Sequence, residues 1–197
     1  MKKINGYITY EELKKDLLLL DNAQDKFILL AIYNGIAGKS GLSELINLKV
    51  KDVNFKKHII KVDNREVLMD KEFEKITKEA IEQDVYVSEV VSKHGVEEYE
   101  LNRDSEYVIR IRPKAVNNWG LSPITYNTLR AKIKKISAKA GFEINASQLE
   151  TSGIVNRLLS EKKEWTVLDI EFELRMKNIK ANAYRIYSII KEITSYK

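Results

Sequence analysis

"YNGIAGKSGLSELINLKVKDV", residues 33–53, is the stretch on which the reading of this chain turns. The apolar run "FILLAIY" at 27–33 leads into it and stops at Gly35. Three glycines and one lysine interrupt the pattern, and "LSELINL" resumes it at once. Glycine relieves the backbone where a helix ends, and a serine is a good place for the next to begin. The spacing therefore predicts a buried helix, a short break and a second short helix.

Outward from there, helical signals dominate both ends. Thr9 with Glu12 three residues on forms a capping box, so a helix is expected from about Tyr10 to Leu20. A second helix, capped near Asn22 and ending at Gly35, is apolar nearly all round, the mark of a core helix. After "LSELINL" the period changes. "DVNFKKHIIKVDNREVLMD" alternates around a tight "VDNRE" turn, as short antiparallel strands do. "KEFEKITKEAIEQ" returns to a helix with Phe73, Ile76 and Ile81 inward. "DVYVSEVV" and "SEYVIRIR" read as two more strands joined by a polar loop containing His94. From Ser122 onward the pattern is helical. "SPITYNTLRAKIKKISAKAG" puts Leu129, Ile133, Ile136 and Ala140 on one face and closes at Gly141, and three further helices fit "ASQLETSGIVNRLLSE", "TVLDIEFELRM" and "ANAYRIYSIIKEIT".

The chain has 197 residues, enough for one well-buried core, and no repeat or linker divides it. With 32% charged residues, 44% hydrophobic residues and two prolines it is no disordered chain. It contains no cysteine, which excludes disulfides, thiolate metal sites and cysteine nucleophiles. His58 and His94 lack metal-ligand spacing, so neither a metal nor a cofactor is expected. No apolar run is long enough to span a bilayer, and a cytoplasmic location in a bacterial host cell is expected.

The net charge of +5 is unevenly placed. Residues 1–102 carry 16 Lys/Arg against 19 Asp/Glu, residues 103–141 carry 9 against 2, and residues 142–197 carry 9 against 8. Such a run is either a solvated basic face or a surface for a polyanion.

The order of elements, together with residues 33–53, resembles the catalytic domain of the tyrosine recombinases, the phage integrase family. That family ends a buried helix in Y-T-G-L-R, followed by I-S-E-L and L-x-x-x-D-I. Tyr33, Asn34, Gly35 and Ile36 match the first motif, and Ser43, Glu44, Leu45, Leu48, Asp52 and Val53 match the others. The resemblance implies a mainly α fold with a small antiparallel β-sheet, the DNA breaking-rejoining enzyme fold. It implies a single catalytic-like domain over 1–197, with the family's N-terminal DNA-clamping domain expected to be absent.

The same resemblance implies that the chemistry is gone. Ala37 stands where the first catalytic arginine belongs, "AGKSGL" inserts four residues, and Lys39 is the one cation in that loop. The family's H-x-L-R is matched by "SQLE", so Ser147 replaces the histidine and Glu150 the second arginine. A carboxylate facing a phosphate reverses the sign of the interaction. L-G-H is matched by Leu174, Arg175 and Met176. The nucleophile falls near Arg185, between Tyr184 and Tyr187, which equally suit a plain amphipathic helix. Arg65, at the turn where the family carries a lysine, reads as structural. Attack on phosphorus needs such cations to hold the transition state. The chain is therefore expected not to be an enzyme.

In the family, the helix matching "TYNTLRAKIKKISAKAG" lies in the major groove, and here it is the helix with the local positive charge. Its outward residues are expected to be Asn127, Thr128, Arg130, Lys132, Lys134, Lys135 and Lys139, with Arg110, Arg112, Lys114, Asn117 and Asn118 added by the preceding loop. Trp119 reads as a core anchor rather than a base-stacking residue. The expected partner is double-stranded DNA and the expected role that of a phage or prophage repressor. The rivals are a divergent recombinase using Lys39, Arg65 and Tyr184 or Tyr187, and a protein-interaction module. The last helix, through Ile186, Ile189, Ile190 and Ile193, packs either on its own domain or on a partner or second copy.

Overall fold

Local signals set most boundaries in the computed structural model, which describes residues 6–37, 42–92, 95–141, 145–161, 164–177, 179 and 181–195. Lys39 and His94 lie outside the described residues. Helix α1 (Tyr10–Leu17) starts at the capping box of Thr9 and Glu12. Helix α2 (Ala23–Tyr33) runs from Asn22, and Phe27, Ile28, Leu29, Leu30, Ala31 and Ile32 are all fully buried, as its all-round apolar pattern requires. Gly35, at φ +85°, turns the chain out of it. Helix α3 (Ser43–Asn47) follows the break.

A three-stranded antiparallel sheet comes next: β1 (Val53–Asn54), β2 (Ile59–Val62) and β3 (Arg65–Leu68), in that spatial order. Val62 pairs with Arg65 across a two-residue turn in which Asp63 takes a left-handed φ of 46°. Helix α4 (Lys71–Glu82) is capped by Asp70 and buries Phe73 and Ile76 against α2.

The second hairpin differs from expectation. β4 (Val85–Ser92) pairs with β5 (Gly95–Glu100), not with residues 105–112. The latter segment runs without a strand partner apart from one bridge, Lys49 to Tyr107. Its apolar alternation arises because Val108 and Ile109 are buried, while its backbone is satisfied by the Leu48 carbonyl and the Gln24 side chain. "VEEYE" looked like a loop because its acids hide a half-covered strand.

Four helices complete the chain: α5 (Tyr126–Lys139), α6 (Ala146–Glu161), α7 (Val167–Met176) and α8 (Ala183–Ser195). One apolar cluster gathers α1, α2, α4 and the inner face of α5. A second holds Trp165 and the inner faces of α6, α7 and α8. Ile186, Ile189, Ile190 and Ile193 are buried in that second cluster, so the apolar face of the last helix is used within its own chain. Helices α2 and α6 meet at Gly153, where a Cβ would lie 1.6 Å from the Tyr33 carbonyl oxygen. No described helix is long and apolar enough to cross a membrane.

Candidate nucleic-acid interface

Helix α5 is held by an apolar inner face and offers its opposite face to solvent. Thr125 caps it by accepting from the Thr128 backbone, and Leu129, Ile133 and Ile136 are buried. Asn127, Thr128, Arg130, Lys134, Lys135 and Lys139 are exposed, as the 3.6-residue period requires. Lys139 also reaches Asp21 at 2.5 Å.

Lys132 corrects the expectation of an outward cation. Its Nζ lies 2.8 Å from Asp25 and 3.8 Å from the centroid of the Tyr86 ring, and only 16% of its side chain is exposed. Asp25 is buried and also accepts from the Tyr86 hydroxyl and the Asn22 amide. The long lysine stem folds back to this carboxylate, tying α5 to α2 and β4. Lys132→Ala would strand a buried carboxylate with neutral donors alone. It is expected to cost about 3 kcal/mol in urea unfolding.

Residues before α5 sort in the same way. Arg110 is buried, and its guanidinium donates to the Ile81 and Gln83 carbonyls, which places it in the scaffold rather than on the interface. Arg112 is half exposed but paired with Glu97 at 2.5 Å and set over the Tyr99 ring. Asn117 folds the loop: its side chain accepts from the Lys114 and Gly120 amides and donates to the Arg112 carbonyl. Lys114 and Asn118 are exposed. Trp119, expected in the core, is 63% exposed, because this loop turns it away from α5's inner face.

The second cluster of interest lies behind Gly35. Arg65 donates to the Gly35 carbonyl at 2.7 Å and to Glu44. Glu150 of α6 shares the field of both Arg65 and Glu44. Burial, reinforced by Glu44 and partly opposed by Arg65, pushes the Glu150 carboxyl up to about 7. Burial likewise raises Glu44, more than Arg65 pulls it down. Arg157 also feels Arg65, and its Nε is buried without a hydrogen-bond partner among the described residues. Sequence reasoning missed Arg157, although it stands seven residues, two helical turns, beyond Glu150 on α6. Arg185, near which the resemblance puts the nucleophile, flanks Gly6 together with Gln148. Among the described residues, Glu44 and Glu150 thus share the Arg65 guanidinium, while the acids nearest Arg157 are Glu161 and Glu173.

Three of the remaining expected positions are open to solvent. Ser147 is exposed at the start of α6, Met176 is 69% exposed at the end of α7, and Tyr184 is 70% exposed on α8. Tyr187 packs against the second core and under Lys191.

The raised carboxyl makes a pH prediction. The folded chain holds Glu150's proton to a higher pH than the unfolded chain does, so stability falls as pH rises from about 4.5 to about 7 and stays lower above it. Glu150→Gln is expected to remove that slope and to gain about 2–3 kcal/mol above pH 7, with no gain below pH 4.5, in denaturant melts at several pH values.

Comparison with known proteins bears on the family and the fold. A 59-residue stretch is 44% identical to the tyrosine recombinase XerA of Pyrococcus horikoshii, covering 30% of this chain and 20% of that protein. A crystal structure of XerA recombinase matches all of this chain and 65% of its own, with a TM-score of 0.64 and 18% identity, which establishes a shared fold. The chain therefore spans a fifth of the curated relative and less than two thirds of the solved one. Residues 7–194 match the sequence model of the family described as "MrpR, C-terminal catalytic domain", and to that family, on a tyrosine-recombinase scaffold, the chain belongs.

Proposed function

We propose that this chain binds double-stranded DNA without cutting it and acts as a phage or prophage transcriptional regulator of the repressor type. The observation that carries the reading is the exposed face of α5, where Asn127, Thr128, Arg130, Lys134 and Lys135 stand opposite a fully buried apolar face. A helix so anchored presents donors to a groove at its start and cations to phosphates further on. Arg130 has the reach and the two-pronged geometry for a guanine edge, and Asn127 for an adenine. Loss of catalysis is supported by the cluster behind Gly35, in which Glu44 occupies Arg65 and Glu150 stands where a second cation would be needed.

A domain making roughly five to eight phosphate contacts binds with steep salt dependence. In electrophoretic shifts a complex is expected at 50 mM salt and is expected to fade toward 200 mM, whereas salt-independent binding would contradict the reading. Arg130→Ala is expected to relax preference at one base pair by about 1–3 kcal/mol, read from selection of random duplexes. A divergent recombinase is the second reading, favoured by one observation, the exposed Tyr184 on α8.

A further inference from the structure

The turn before α5 is closely hydrogen-bonded along its irregular path. Asn118 and Trp119 both adopt left-handed backbone, at φ 52° and 55°, and Gly120 follows at 89°. Non-glycine residues enter this region only when their surroundings hold them there. Here Asn117 clamps the turn from inside, the Trp119 amide donates to the Lys114 carbonyl at 2.9 Å, and the Asn102 side chain donates to the Trp119 carbonyl at 2.9 Å. Gly120 cannot be replaced without crowding, since a Cβ would meet the Ile111 oxygen at 3.1 Å.

What this construction displays is apolar. Val116 is 89% exposed and Trp119 63%, and Tyr126, at the first turn of α5, is 45% exposed. Strain spent on holding an indole in water has no stabilising return inside the chain. The exposed charge along this part of the chain identifies what covers it: Lys114 precedes Val116 in the same turn, and Arg130, Lys134 and Lys135 follow Tyr126 on α5, all four open to solvent. An apolar tip with cations before and after it complements a polyanion with apolar surface of its own, and duplex DNA offers both, in its phosphates and in its deoxyribose carbons, thymine methyls and any base step that opens.

Resting on the reading that α5 binds duplex DNA, we propose that Val116 and Trp119 form an apolar wedge that packs on the sugar and base edges of the same duplex, beside the segment contacted by α5. The wedge adds affinity without displacing counterions, and it favours sequences that unstack or deform easily.

The test uses the full chain and a 30-bp duplex selected by it from a random pool. Trp119→Ala is expected to weaken binding about tenfold at fixed salt while leaving the slope of log affinity against log salt unchanged; Trp119→Phe should recover most of the loss. Lys134→Ala, by contrast, should lower that slope by about one. Indole fluorescence should be quenched on binding in the unmodified chain and not in Trp119→Phe, which retains only the buried Trp165. The proposal is overturned if Trp119→Ala binds as the parent does and the fluorescence is unmoved, even though Lys134→Ala still weakens binding; the α5 reading then survives. It is also overturned if Trp119→Ala abolishes self-association in sedimentation without altering DNA affinity, which would assign the patch to a second copy. Failure of the parent chain to bind any duplex removes both readings.

Discussion

Replacing Arg130, Lys134 and Lys135 together by alanine should lower DNA affinity at least about 1000-fold at 150 mM salt and reduce the salt slope by two to three. Each of these side chains is on the exposed face of α5, and none is needed by the core that Leu129, Ile133 and Ile136 form beneath them. Fluorescence anisotropy across a salt series measures both quantities, and far-ultraviolet circular dichroism should be unchanged. The contrast with Lys132 makes the prediction specific. That lysine is on the same helix and carries the same charge, yet its ammonium is committed to Asp25, so its loss should appear in stability instead of affinity.

A second large effect is expected at Gly153. Any side chain there would drive a carbon into the Tyr33 carbonyl, with 1.6 Å to the oxygen and 2.7 Å to the carbon. Both atoms belong to helix backbone, so α2 and α6 would have to move apart along the line where the core is fully packed. Over-packing of side chains commonly costs 1–3 kcal/mol. A backbone clash should exceed that, and Gly153→Ala is expected to lose about 4 kcal/mol or more, a large fraction of the stability of an ordinary domain. Urea unfolding, or recovery of soluble protein if the loss is complete, measures it. Gly35 offers a comparison, because a Cβ there would meet nothing within 4 Å. Gly35→Ala should carry only the cost of the left-handed backbone, about 1–2 kcal/mol.

The contrast between these glycines shows what was legible in the chain. The helix stop at Gly35, the restart at Ser43, the Thr9 to Glu12 capping box and the tight turn at Asp63 are all decided by neighbours in sequence, and each was readable. Residues 95–100 were not legible as a strand because their adjacent acids break the alternation that residues 105–112 show, and the alternating segment is the one that lies against the Leu48 carbonyl and the Gln24 side chain instead of β4. Arg110 and Lys132 counted toward the positive charge of the middle segment, yet their partners, the Ile81 and Gln83 carbonyls and Asp25, come from elements far away in sequence. Periodicity places a Cα on a face; it does not say where a long cationic stem ends. Trp119 was misplaced for a related reason. A tryptophan between basic residues reads as an anchor, and only the run of left-handed residues held by Asn117 and Asn102 turns it outward.

The cluster behind Gly35 was legible as a set of replacements but not as an arrangement. The substitution of an acid at Glu150 follows from "SQLE" alone. That Glu44 of the matching "SEL" motif would engage Arg65, and that Arg157 would enter the same field, needed α3, β3 and α6 in place. Burial outweighs the pull of Arg65 on both acids, so Glu44 and Glu150 weigh against the stability of this network once they are charged. Its carboxyl near 7 makes that network sensitive to pH in a range where an intact phosphate clamp would remain fully cationic.

The most direct measurement runs one reaction on two gels: the chain is incubated with a nicked suicide duplex and resolved first under native conditions, then in sodium dodecyl sulfate. The account predicts a retarded native complex that dissolves completely in detergent, leaving free protein and uncleaved strand. A detergent-resistant protein-DNA band that disappears on Tyr184→Phe would contradict it.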